Sequence, residues 1–294
     1  MIYLIGSVVL TSYLMLSFKV IERFRIPAFQ AIVFNYITCV VTGSVVNGSF
    51  PATAENLQQP WAAWALVMGC LFISIFNVIG YTTQKIGVAV ASVANKLSLV
   101  IPFLFSIYLY NETSTTLKVI GILLALSGVV LTCWPHGANE TPSHKQLSKA
   151  LIIGLPALLF FGSGFIDTLV NHVQIRYLND ENNNAYLIFS FATAAIIGSL
   201  ILIGLALSKR MKLDWRSIFA GIAIGIPNYF SIWCLVEALK AFPGRSSSII
   251  PINNMAIVLL SSVIAWLLFK EVLTAKNWLG ILLSVAAIAL IAFG

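Results

Sequence analysis

Charged side chains are scarce in this sequence. Asp, Glu, Lys and Arg together make up 9% of its residues, against roughly a quarter in water-soluble proteins. So few charges cannot cover a water-facing surface, which excludes a soluble globular domain. Cysteine and histidine are rare too. Cys39, Cys70, Cys133 and Cys234 all lie inside apolar runs and lack metal-type spacing. Neither a disulfide framework nor a zinc site is expected. His136, His144 and His172 fall in loops or at the ends of apolar runs, outside any HExxH pattern, and read as solvated. There is no GxxxxGK[ST] loop, so the chain does not hydrolyse nucleotides by itself. No metal and no cofactor is expected. The N-terminal MIYLIGSVVL lacks a basic leader region and reads as a retained first span rather than a signal peptide.

What is abundant is apolar sequence. Of 294 residues, 59% are hydrophobic, and the mean hydropathy is +0.95. Runs of bilayer length recur along the chain. They predict ten spans, at 2–19, 28–47, 61–83, 88–110, 115–133, 149–171, 184–207, 215–239, 246–269 and 275–293. The net charge of +7 sits in the short gaps between these runs, a sign of membrane topology rather than nucleic-acid binding. The predicted fold class is an all-α polytopic membrane protein.

The halves repeat. Sliding the chain by 155 places Gly43 on Gly198, Thr38 on Thr193, Asn35 on Ser190 and Ser12 on Asp167. Near the end of each half the offset is 159, which superposes Glu112 on Glu271, Gly121 on Gly280, and an identical GILL. Five spans per half is an odd number, so the second half enters the membrane from the opposite side. This is the pattern of two inverted five-helix repeats with a site between them near the midplane. The expected units are 1–135, a central loop at 136–148, and 149–294.

These features resemble one family. YNET and FKEV follow the fourth and ninth spans, the fifth and tenth spans carry glycines, and the segment ALKAFPGRSSSIIPINNMAIVLLSSVIAWLLFKEVLTAKNWLGILL resembles the drug/metabolite transporter superfamily with two EamA-type domains. The resemblance implies transport of a small molecule and admits amino-acid, metabolite and drug exporters as well as sugar-phosphate exchangers. It also implies both termini inside. The charges point the other way: with the N-terminus outside, twelve Lys and Arg fall in inner loops and four in outer ones, leaving Lys96. The positive-inside rule then puts both termini on the non-cytoplasmic side. The expected setting is a bacterial inner membrane.

Polar residues inside the spans form stripes. Ser92, Asn95 and Lys96 share a face, as do Ser74, Asn77, Tyr81 and Gln84. Asn35, Thr38 and Thr42 are answered in the second half by Tyr186, Ser190 and Thr193, and Asn253 and Asn254 lie side by side. Lys96 stands about two turns inside its span, where a cation costs roughly 2.5–3.5 kcal/mol on insertion scales. It is expected to meet an anionic or zwitterionic ligand, to pair internally with Asp167 or Glu237, or to snorkel to an interface. The candidate substrate-binding residues are Lys96, Asn95, Ser92, Asn77, Tyr81, Asn35, Asn253, Asn254 and Ser190. Asp167 is a candidate for proton or ion coupling, since burial in a low-dielectric cavity favours a protonated carboxyl, or else a partner for Lys96. Glu237, close to the end of its span, is a candidate for the same coupling or an interfacial residue. Glu112 and Glu271 read as helix-end or loop residues. Pro102, Pro156, Pro227 and Pro251 lie within spans, where a proline kinks the helix.

The expected partners are a small-molecule substrate and the lipid bilayer, without nucleic acid, in a monomer or homodimer. The function predicted is secondary transport by alternating access, not enzymatic. A lipid-directed membrane enzyme would need a nucleophile or metal cluster that the sequence does not display. Its GSGFID stretch departs from the GxGD motif of intramembrane aspartyl proteases, because Asp167 comes too late. A non-transporting sensor or assembly protein is the other alternative.

Overall fold

The computed structural model describes residues 1–51, 53–102, 104, 115–132, 148–179, 182–241, 246–271 and 273–293. They are helical throughout, with no strand among the described residues. In chain order the helices are α1 (Ile2–Arg23), α2 (Ala28–Asn47), the single short turn α3 (Ala54–Gln58), α4 (Pro60–Lys85), α5 (Val88–Leu97), α6 (Thr116–Thr132), α7 (Lys149–Tyr177), α8 (Asn183–Leu207), α9 (Arg216–Ala241), α10 (Ser246–Phe269) and α11 (Ala275–Phe293). Seven of them are long and apolar enough to cross a bilayer: α1, α2, α4, α7, α8, α9 and α10. Three further apolar stretches, Val88–Pro102, Val119–Thr132 and Ala275–Ile291, are shorter than the ~20 residues that span a hydrocarbon core. The predicted end of the fourth span, 105–110, and most of the central loop lie outside the described residues.

Local chemistry fixes the helix ends. Gly48 adopts φ +79° after α2 and turns its N–H back to the Val45 carbonyl, a conformation that a residue without Cβ takes readily. Thr53 caps α3 by accepting from the Asn56 N–H at 3.2 Å. Three other ends use no glycine, the third being Lys270 (φ 52°) after α10. Arg25 (φ 53°) and Lys209 (φ 55°) sit where the chain closes back on its helix, through Ile26 N–H to Ile21 O and Arg210 N–H to Leu205 O. Cations there complement the negative helix C-terminus.

Contacts divide the chain into two compact units. The first is made of residues 1–19, 78–165 and 230–294, the second of 20–77 and 166–229. In the first unit α6 and α11 form the closest pair. A Cβ on Gly128 would meet Ser284 N at 3.0 Å and Gly280 O at 3.1 Å, and one on Gly121 would meet Ala287 O at 3.1 Å. Rising numbers on α6 face falling numbers on α11, so the two helices run antiparallel. With lipid as apolar as the side chains, it is this close van der Waals fit that holds such helices together. Around them a core forms from Val93, Leu97, Val100, Ile281 and Ile288.

In the second unit α2 and α8 are also antiparallel. A Cβ on Gly43 would meet Ile188 at 2.9 Å, and one on Gly198 would meet Val33 at 2.9 Å. Both pairs are related by the offset of 155. A second matched contact lies beside them. Gly225 on α9 leaves 2.7 Å to the Asn35 carbonyl and packs on Thr38, while Gly69 on α4 leaves 2.7 Å to the Ser190 carbonyl and packs on Thr193. The membrane-end core of this unit is aromatic, with Trp61 set edge-on to both Tyr186 and Phe189.

Candidate functional site

In the first unit the site is built on α5. Eight of its ten residues are buried: Val88, Ala89, Val90, Ala91, Ser92, Val93, Ala94 and Leu97. The two half-buried ones are Asn95 and Lys96. An otherwise encased helix therefore offers one amide and one ammonium at adjacent positions. The helix is anchored at both levels to the end of α10 and the loop after it. The Glu271 carboxylate accepts from the Val88 N–H at 2.8 Å and from the Ala89 N–H at 3.4 Å. This charge caps the N-terminus of α5 from another part of the chain, where N–H groups have no intrahelical acceptor and the helix dipole favours an anion. Gly87 makes room for it: its φ is +142°, and a Cβ there would meet the carboxylate at 3.1 Å. One turn on, Ser261 Oγ donates to Ser92 Oγ at 2.8 Å, and both side chains are buried. Glu271 is thus a loop residue, as its sequence position implies, but its role as a cap in trans is not visible from spacing.

Asn253 and Asn254 on α10 are buried, and the Asn253 Oδ1 has no hydrogen-bond partner among the described residues. The antiparallel register set by Ser92 and Ser261 places Asn254 roughly one turn along the axis from Lys96. Tyr81 and Glu237 belong to the same unit; Tyr81 is 43% exposed and Glu237 is half-buried.

The other four candidates, Asn35, Asn77, Ser190 and Asp167, lie in the second unit. Asn35 is fully buried. Its Oδ1 accepts from Asn228 Nδ2 at 3.1 Å and from Cys39 Sγ at 3.8 Å, while its Nδ2 has no partner among the described residues. Cys39 Sγ also reaches the Gly225 carbonyl at 3.4 Å. Asn228 is a residue that stripe counting missed; its signal is the dipeptide Pro227–Asn228, an amide next to a proline deep in α9. The neighbouring residue begins a separate set of bonds toward the loops, with Tyr229 Oη donating to Asn184 Oδ1 at 3.1 Å and Asn184 Nδ2 to Asn47 Oδ1 at 2.9 Å. At that end a cavity of about 380 Å³ is lined by residues including Asn47, Asn56, Gln59, Asn179 and Asn182.

Several stripe residues are committed to their own helix. Ser190 Oγ donates to the Tyr186 carbonyl at 2.8 Å, Asn77 Nδ2 to Ile73 O at 2.6 Å and Ser74 Oγ to Cys70 O at 2.7 Å. Thr38 and Thr193, repeat partners, both bond back four residues. Such bonds satisfy a polar group without a ligand. Asp167 is exposed on α7. Among the described residues no group of three His, Cys, Asp or Glu could hold a metal ion.

Comparison with known proteins agrees with the architecture. An uncharacterized protein of Haemophilus influenzae (strain ATCC 51907 / DSM 11121 / KW20 / Rd) is 27% identical over 277 residues, covering 92% of this chain and 90% of that protein. A protein of known crystal structure superposes with a TM-score of 0.62 at 18% identity, over 99% of this chain and 96% of the other, which establishes a shared fold. Residues 154–293 match the profile of the EamA-like transporter family. With its apolar helices of bilayer length, this is an integral membrane protein, and its residues 154–293 are similar to the EamA-like transporter family.

Proposed function

We propose that the whole chain is a secondary transporter of ten spans, built as two inverted five-helix EamA-like repeats at 1–135 and 149–294. It moves a small polar or amphiphilic metabolite by alternating access without ATP. The observation that carries this reading is α5: encased along its length, it leaves only Asn95 and Lys96 half-buried. A cation in the last turn of so encased a helix is costly unless it serves a polar path or a partner. In this reading Lys96 meets an acidic group of the substrate, and Asn95, Asn253 and Asn254 meet its remaining polar atoms. Ser92 and Tyr81 join them in the first unit, Asn77, Asn35 and Ser190 are proposed as further substrate contacts in the second, and Asp167 and Glu237 are proposed to carry the coupling proton or ion. Support for the inverted repeat comes from repeat-related helices that lie antiparallel within one unit, α2 with α8 and α6 with α11. The charge bias places both termini on the non-cytoplasmic side, in a bacterial inner membrane.

The test has two steps. A substrate library is screened by thermal shift, because a ligand of the folded state raises its melting temperature. The hit is then followed by counterflow in ATP-free proteoliposomes. Exchange of internal for external compound supports the transporter; a compound that binds yet never crosses, at any pH gradient, overturns it.

A further inference from the structure

One end of the second unit carries a surface that transport does not use. Two loops meet there, the α1–α2 turn and the α8–α9 connection. Gln30 holds them together: its Nε2 donates to the Lys212 carbonyl at 2.8 Å, and its Oε1 accepts the Asp214 N–H at 2.9 Å. Arg216 Nη1 adds a bond to the Phe24 carbonyl at 3.4 Å. The bracket places Arg23, Arg25, Lys209, Arg210 and Lys212 on one end of the unit, all exposed. Arg216 does not count among the available charges, because its guanidinium grips Asp214 at 2.7 Å. That same grip silences the acid, which leaves Glu22 as the carboxylate set against five cations. Two of the five are fixed by backbone rather than chance, since Arg25 and Lys209 occupy the positive-φ turns that end α1 and α8.

Large apolar side chains border these cations. Phe24 is 61% exposed, Leu213 65%, Trp215 68% and Phe219 64%, with Trp215 and Phe219 set edge-on at 5.6 Å. An indole at the end of a span belongs at the headgroup level. The opposite end of the same unit is different in kind, being lined by amides, with Arg176 and Glu55 as its exposed charges among the described residues. We infer that the Arg23–Arg25 and Lys209–Lys212 loops form a binding site for an anionic glycerophospholipid, the cations on its phosphate headgroup and Trp215 and Phe219 against its acyl chains. Clusters of basic residues flanking spans attract anionic lipid within a Debye length of the surface, and a Gln30 bracket that fixes both loops turns a diffuse attraction into a site. An apolar border beside the cations fits a lipid rather than a free anion, which would gain nothing from exposed rings. The inference rests on the membrane placement of the chain and not on its transport activity.

The experiment uses the delipidated full chain in neutral detergent, titrated with phosphatidylglycerol, phosphatidylcholine or inorganic phosphate and read by thermal shift and native mass spectrometry. Phosphatidylglycerol should bind at least about tenfold more tightly than phosphatidylcholine, with phosphate far weaker. Lys209→Gln/Arg210→Gln/Lys212→Gln should remove most of that preference, while Arg176→Gln/Lys276→Gln keeps it. Trp215→Ala should weaken both lipids without changing their ratio. An unchanged preference in the triple variant overturns the site, and an equal response to inorganic phosphate overturns the lipid assignment. Because no transport is measured, failure here leaves the transporter reading to its own test.

Discussion

Helices α2 and α8 meet through contacts that the repeat reproduces on both sides. Gly43 lies on Ile188 and Gly198 on Val33, with Gly225 and Gly69 serving the two flanking helices alike. Helices α5 and α10 meet differently. The Ser92–Ser261 bond has no counterpart, because the offset of 159 turns its two ends into Pro251 and Pro102, neither of which carries a hydroxyl. Lys96 falls on Met255 by the same offset. The packing of α2 on α8 repeats, whereas Ser92, Ser261 and Lys96 on α5 and α10 have no polar counterpart. In the transporter reading proposed above, a repeated scaffold supports close helix contact, whereas one asymmetric substrate would need unlike groups on the two sides of its path.

Removing the asymmetry should have the largest effect. Lys96→Met keeps bulk but makes α5 resemble its repeat partner, and should reduce counterflow at least about a hundredfold while the protein still inserts and binds detergent normally. Lys96→Arg should keep part of the rate, since a planar guanidinium differs from an ammonium in shape and hydration.

Damaging the symmetric part should act on stability instead. Gly225→Leu pushes a side chain into the Asn35 carbonyl and Thr38, where even a Cβ finds 2.7 Å and 2.6 Å. A loss of about 1–3 kcal/mol is expected from such overpacking, visible as a lower melting temperature. Gly69→Leu should behave alike, because it faces the equivalent pair. A large loss at one glycine and none at the other would break the comparison.

A smaller effect should follow from Glu271→Ala, which strips the cap from α5. About 1–2 kcal/mol is expected for a charged group on orphan helix N–H groups, with faster hydrogen exchange at Val88 and Ala89. Glu271→Gln can still accept one bond and should lose less. If exchange in α5 is unchanged in Glu271→Ala, the helix is held by packing alone.

The smallest effect concerns Asp214. The hydrogen bonds from the Arg216 guanidinium hold its carboxyl below the usual carboxylate range. A depressed folded-state pKa contributes stability that is present above about pH 4 and lost as the pH falls through the lowered value. Asp214→Asn should therefore lower the melting temperature slightly at neutral pH and converge with the wild type at acid pH, flattening the acid side of the profile.

Much of this organisation was legible in the sequence. Apolar runs marked most of the helices to within a few residues, with α1 and α7 running four and six residues longer than the runs imply, but α5 ends at Leu97, well short of the predicted 88–110. Glycines at matching offsets anticipated the tight pairs, because only a missing side chain allows backbones so close. Lys96 stood out by its cost. What could not be read were the contacts between residues far apart in the chain. Nothing local says that Glu271 caps a helix beginning 183 residues earlier, or that Asn35 bonds to Asn228 across a separation of 193. Nor does stripe counting show that Asn77 Nδ2 and Ser190 Oγ also donate to carbonyls of their own helices. The caps formed by Arg25 and Lys209 lacked the glycine that usually announces such a turn.

Counterflow in ATP-free proteoliposomes, run on wild type, Lys96→Met, Lys96→Met/Asp167→Asn and Lys96→Met/Glu237→Gln, tests the central claim most directly. If Lys96 serves the substrate, the wild type exchanges internal for external compound and all three variants stay inactive, because neutralising an acid does not restore a ligand for the cargo. Recovery of exchange in either double variant would make Lys96 one half of a structural ion pair and would contradict its assignment to the substrate path.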